Sequence, residues 1–229
     1  MNIYRVVLPS GFDDRELIAA SLIKVPLVMN LYKAAELRRV NLEQVITIQE
    51  SQLDHSYGEL WQRGAGTTLT LRELAKLTLA ESDNTASRAI FDQIQSKLSE
   101  NEQSLAQLDI DQNTYDGQAV INARSYSSVL KSLYLSSYLN RDHSSELLNF
   151  LTQSNENTRL TKLLPSDLAV AHKNGVYNRE WSESDCGIVY AKARPYSVCI
   201  MVGLPDDQAG LFMAETSKLI FDYVTSYQR

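Results

Sequence analysis

Apolar and polar positions along the chain fall into two regimes that change near residue 165. Residues 3–8 open with a strand-like run, and Pro9-Ser10-Gly11 follows as a turn. Residues 21–39 then read as a helix, apolar at its start and basic at Arg38-Arg39, with Pro26 in an early turn where it would remove a hydrogen bond and bend the axis. Leu22, Ile23, Val25, Leu27, Val28 and Leu31 cover every side of that helix, so it is expected to be the most buried. Residues 51–68 are polar and glycine-containing and read as a long loop. Thr70 caps the next helix, with Glu73 completing a capping box, and another helix is expected from about Thr85 to Leu98.

A short helix at Leu105–Leu108 and a turn-rich loop over 109–117 come next. Asn122 caps a helix to about Leu139, another spans Ser144 to Thr152, and a short one ends before Pro165. Beyond that point the spacing changes. Residues 168–173, 187–190 and 196–202 read as three consecutive strands, joined tightly enough to be antiparallel, and a helix from about Asp206 to Tyr227 closes the chain. The order implies an α/β fold of the α+β sandwich kind. An antiparallel sheet built from both termini (1–20 and 166–229) is flanked by helices, with an all-helical lobe (21–165) inserted in one domain over 1–229.

Composition narrows the partners. The chain has 229 residues, 44% hydrophobic and 22% charged, which suits an ordinary globular protein able to bury a sizeable core. A net charge of −6 disfavours nucleic acid, which needs a clustered basic surface. No apolar run approaches a membrane span of about 18 residues, and no signal peptide opens the chain. A membrane is therefore expected as a partner only through an N-terminal segment trimmed from this chain, and a monomer is expected. A tight turn at Ala193-Arg194-Pro195 would place Lys192 opposite Tyr196. Cys186 and Cys199 would then be about three residues out of register, roughly 10 Å apart at strand rise. That exceeds the roughly 7 Å a disulfide tolerates, so two free thiols are expected. Neither they nor His55, His143 and His172 show metal-ligand spacing, and no cofactor is expected.

The chemistry begins with a polar pair in the apolar run, Ser21 and Lys24. On a helix, positions i and i+3 share a face, and a lysine depressed by apolar surroundings can deprotonate a serine. Alone, Ser-x-x-Lys is more simply a core helix with a snorkelling lysine. Ser82-Asp83-Asn84 is good capping chemistry, but also offers a hydroxyl to pass a proton and an amide to hold a carbonyl. Lys173-Asn174-Gly175 is an ordinary strand with a bulge-prone glycine, or a site lysine beside a glycine that admits a substrate backbone.

Together and in this order, the three motifs resemble those of class A β-lactamases and penicillin-binding proteins. Ser82 follows Ser21 by 61 positions, close to the family's spacing. The helix start at Thr70-Leu71-Arg72-Glu73-Leu74, the Asn122-Ala123-Arg124-Ser125 segment and Gly187-Ile188-Val189 resemble the family's context, over about residues 15–225. The resemblance implies acyl transfer without a cofactor. Ser21 is the nucleophile, Lys24 the base, Ser82 a proton relay and Lys173 its support. Asn84, Asn174 and Gly175 hold substrate, the N–H groups of Ser21 and Val176 form an oxyanion hole, and Tyr57 is a wall of the site. It also implies a small-molecule β-lactam, an ester or a D-Ala peptide of the cell wall as substrate, in an extracytoplasmic bacterial setting.

Two departures qualify the resemblance. No Glu-x-x-Leu-Asn lies between Asn84 and Arg124, where the family's β-lactamases keep the glutamate that activates the deacylating water, and the stretch is short. Asn174 replaces the usual Thr or Ser, which bears on recognition of a substrate carboxylate. The reading is a serine acyl-enzyme with slow deacylation. The alternatives are an efficient class A β-lactamase and a catalytically silent binding module.

Overall fold

The computed structural model describes residues 14–192 and 194–226. The strand expected at 3–8 and its turn lie outside the described residues. Strand β1 is Leu17–Ile18, and after a 3-10 turn at Ala20–Ile23 helix α1 is Lys24–Glu36. Strands β2 (Val45–Thr47) and β3 (Thr68–Thr70) precede helices α2 (Leu71–Ala80), α3 (Asn84–Ile94) and α4 (Ser104–Gln107). Strands β4 (Thr114–Tyr115) and β5 (Gln118–Ile121) lead to helices α5 (Ala123–Tyr134) and α6 (Arg141–Leu151). Strands β6 (Val170–Tyr177), β7 (Ser182–Val189) and β8 (Tyr196–Gly203) and helix α7 (Asp206–Ser226) complete the order. The chain divides into two units. Among the described residues, one takes those up to Leu22, Gln112–Lys131 and those from Ser154 on; the other takes Ile23–Asp111 and Ser132–Gln153.

The first unit holds the antiparallel sheet β6-β7-β8. Its strands are longer than expected, because polar residues such as Asn174, Glu183 and Asp185 lie inside them and hide the apolar pattern. The sheet covers a core of Leu160, Val170, Val189, Tyr196, Val198, Ile200 and, from α7, Ala209 and Met213. Val189 pairs with Tyr196, so the connection is the six residues 190–195 rather than a tight turn. That register sets Cys186 directly opposite Cys199, with Cα atoms 3.9 Å apart, and the two form a disulfide. The expectation of free thiols fails because it placed the turn about three residues too tightly.

A second small sheet in this unit has the order β1-β5-β4. The loop expected over 109–117 contains its hairpin. Asp116 and Gly117 both have positive φ, 47° and 72°, and join Tyr115 to Gln118 in a two-residue turn of the primed kind. The short helix expected before Pro165 is a series of turns.

The second unit is mainly helical, with the β2–β3 pair bracketing the stretch expected to be loop. Helix α1 starts at Lys24, not Ser21, because residues 20–23 close a 3-10 turn first, and it ends at Glu36, short of Arg38-Arg39. Pro26 is therefore the third residue of α1. An N–H there would have no intrahelical acceptor, so the proline removes no bond. Val25, Val28, Met29, Leu31 and Tyr32 are fully buried, whereas Ile23 is 37% exposed, so the apolar cover is not complete at the 3-10 turn. Helix α2 starts as the sequence implies. Thr70 Oγ1 accepts from the Glu73 N–H at 3.1 Å, and Glu73 returns a carboxylate to the Thr70 N–H at 2.7 Å.

Candidate active site

In the helical unit the site is built on the turn between α2 and α3. Asp83 caps α3: its Oδ1 accepts from the Ala86 N–H and its Oδ2 from the Leu60 N–H, both at 2.8 Å. The Asn84 N–H donates to the Tyr57 carbonyl at 3.1 Å. Gly58 makes this closure possible. Its φ is +88°, and a Cβ there would lie 2.2 Å from Asp83 Oδ2. Bound from both sides, the turn holds Ser82 at φ 55°, a left-handed conformation that costs a non-glycine residue of order 1–3 kcal/mol.

Lys24 reaches this turn from the first residue of α1. It is 6% exposed. Its Nζ donates to Ser82 Oγ at 3.1 Å, to Asn84 Oδ1 at 2.5 Å and to the Ser82 carbonyl. Burial pulls the amine from 10.5 down to about 8, and the carboxylates of Asp83 and Asp54 limit the fall. An amine at about 8 is neutral in roughly one molecule in ten at pH 7, and a neutral amine is a base.

Asp54 and Ser56 complete the turn's surroundings, and sequence reasoning passed over both. Asn84 Nδ2 donates to Ser56 Oγ at 2.8 Å and to Asp54 Oδ1 at 3.3 Å, which orients its Oδ1 at Lys24. Burial pushes the Asp54 carboxyl up, but hydrogen bonds from Ser56 and Asn84 and the Arg88 charge outweigh it and hold the carboxyl below its usual range. Arg88 lies 2.6 Å from Asp54. The signal available in the sequence was Asp54-x-Ser56, a local turn pattern, and Arg88 one turn along α3 from Asn84. Tyr57 contributes its carbonyl, and its side chain is 47% exposed.

In the other unit the structure brings Ser21's turn onto β6. The Ala19 N–H donates to the Ala119 carbonyl at 2.8 Å, extending the β1–β5 pairing up to the 3-10 turn. Ala20 takes φ 44° just before the half-buried Ser21. Gly175 passes directly over this segment. A Cβ there would lie 2.7 Å from the Ala19 carbonyl oxygen and 2.8 Å from Ser184 Oγ, so only glycine fits. Lys173 is fully buried, and its Nζ lies 3.4 Å from both the carbonyl and the Oδ1 of Asn174. Val176 follows on the same strand, half-buried and opposite Glu183. His172 pairs with Asp185 at 2.9 Å instead of facing a metal, and no metal-binding group of side chains occurs among the described residues. Glu156 also belongs here: Asn174 Nδ2 donates to it at 3.4 Å.

Comparison with known proteins identifies the family and the fold. The model of the beta-lactamase enzyme family matches residues 11–224. The chain is similar in structure to a β-lactamase from Sphaerobacter thermophilus, with a TM-score of 0.86 at 20% identity over 96% of this chain and 88% of that one. It is also similar to PBP-A, with a TM-score of 0.82 at 22% identity over 94% and 84%. A point mutant of PBP-A, an acyl-enzyme complex with penicillin G, gives a TM-score of 0.83 at 21% identity over the same shares. No curated protein matches the chain.

Proposed function

The chain belongs to the beta-lactamase enzyme family, and from that premise we propose that it is a serine acyl-enzyme hydrolase of penicillin-binding type that deacylates slowly. One observation carries the reading: a buried lysine with its amine near 8, one helical turn after Ser21 and bonded to the Ser82–Asn84 turn. Lys24 takes the Ser21 proton as Ser21 Oγ bonds to the substrate carbonyl carbon. Charge on the carbonyl oxygen is met by the N–H groups of Ser21 and Val176, and such donors are each worth about 10²–10³ in rate. When the carbon–nitrogen or carbon–oxygen bond breaks, Ser82 passes the proton from Lys24 to the leaving atom, with Lys173 supporting that relay. Asn84 and Asn174 position the substrate, Gly175 lets its backbone approach, and Tyr57 forms a wall.

The substrate class is a β-lactam, an ester or a D-Ala-type cell-wall peptide. PBP-A's penicillin complex supports the β-lactam arm by likeness of fold. No Glu-x-x-Leu-Asn lies between Asn84 and Arg124 to activate water, which supports slow release of the acyl group. The Cys186–Cys199 disulfide, a bond that persists in oxidising compartments, supports an extracytoplasmic location, as does the family. Among the described residues no helix is long and apolar enough to cross a membrane. Fluorescent penicillin tests the assignment. The wild-type chain is expected to retain label through denaturing electrophoresis, and Ser21→Ala to lose it. Equal labelling of both overturns Ser21 as nucleophile, and no labelling of either favours a binding module.

A further inference from the structure

The middle residue of Lys173-Asn174-Gly175 is tied into a network of charges that the mechanism above does not use. Asn174 is 7% exposed, and its amide is engaged at both ends. Oδ1 faces Lys173 Nζ at 3.4 Å, and Nδ2 donates to Glu156 Oε2 at 3.4 Å. Glu156 in turn meets Arg159 Nη1 at 3.1 Å. Arg159 is 4% exposed and also contacts Glu183, at 3.0 Å, and Asp206. Glu183 stands opposite Val176, and Asp185 opposite Asn174, so the strand pairing gathers these acids on the face that Asn174 shares. Burial pushes the Glu183 carboxyl up despite the arginine. Glu156, Glu183 and Asp206 surround the Arg159 guanidinium, so its charge is already matched by carboxylates. The group facing the Asn174 Nδ2 is Glu156, a carboxylate that repels an anion.

We propose that Glu156 is a specificity-determining residue that draws one Asn174 amide N–H and the Arg159 guanidinium away from a substrate carboxylate and sets its own charge against it. The site then selects acyl donors whose group at Asn174 is neutral, an ester or an amide rather than a free acid. Physically, a carboxylate approaching Asn174 finds one of its two amide N–H groups already turned to Glu156, and a like charge directly behind it. A neutral group meets neither penalty. The inference rests on the serine acyl-enzyme reading, because it assigns Asn174 to substrate.

The test is the second-order rate of adduct formation on Ser21, read by intact-mass spectrometry, for benzylpenicillin and for its methyl ester. The wild type is expected to react with the ester at least as fast as with the free acid. Glu156→Gln keeps the shape and the acceptor oxygen but removes the charge. It is expected to raise the ratio of the free-acid rate to the ester rate about tenfold, the size of one partly screened like-charge contact. Asn174→Thr cuts the link while leaving Glu156 in place, and is expected to shift the acid-to-ester ratio the same way. Its melting curve and that of Glu156→Gln establish that both fold. A wild type that prefers the free acid by about tenfold, or variants that shift both rates equally, overturn the proposal while leaving the acyl-enzyme reading intact. No adduct with either compound sinks that reading, and this inference with it.

Discussion

At the scale of single residues, Lys24 decides the most. Its amine falls from 10.5 to about 8 because burial penalises the charged form. The neutral form therefore grows as pH rises, and the acylation rate is expected to climb about tenfold per pH unit below 8 and to level off above it. Pre-steady-state acylation followed from pH 5.5 to 9.5 checks this. A rate flat across pH 8 contradicts the lysine as base. Lys24→Met is expected to reduce acylation by about 10²–10⁴-fold. The same depression affects stability. Between about 8 and 10.5 the unfolded chain holds a proton that the folded chain has released, so this group's contribution to stability rises with pH across that window. Gly58 and Gly175 are the other single points of failure. A methyl at Gly58 meets both Asp83 and a positive φ, and a methyl at Gly175 meets backbone beside Ser21. Gly58→Ala is expected to destabilise by about 1–3 kcal/mol or more in denaturant unfolding, through the lost closure of the Ser82 turn.

At the scale of elements, local signals were legible wherever one residue type fixes one bond. The Thr70–Glu73 capping box, the Asn122 cap and the burial of α1 follow from side chains within a turn of their partners, whereas the Asn140 cap, which starts its helix at Arg141 and not Ser144, was missed. Thr70→Ala is expected to lower stability by about 1 kcal/mol, measured by thermal unfolding. Register was not legible. Cys186 and Cys199 could be paired only by knowing that the connection runs over residues 190–195, and the turn-like Ala193-Arg194-Pro195 pointed to a tighter one. Asp116-Gly117 was legible in principle as a primed hairpin turn, but its strands are only two and four residues long and carry no alternation to confirm it. The disulfide closes a short loop, with a separation of 13 residues. Its reduction under non-denaturing conditions is expected to lower stability by about 2–4 kcal/mol. A melting temperature unchanged by reductant contradicts that.

At the scale of the whole molecule, the three motifs were legible because their chemistry demands particular residue types in a particular order. Their supports were not. Asp54 and Ser56 touch Asn84, and Glu156, with Arg159 behind it, touches Asn174, through tertiary contacts that the local pattern Asp54-x-Ser56 only hints at. The same division holds for turnover. The groups proposed for acylation are all present in the chain, and the familiar deacylating glutamate is not among its motifs. Intact-mass spectrometry over time after mixing with penicillin G reads both halves at once. The account predicts a single covalent adduct of the intact acyl group, mapped to Ser21 by peptide analysis, absent from Ser21→Ala and persisting through many minutes. Rapid hydrolysis with many turnovers and no accumulating adduct, or an adduct on a different residue, would contradict it.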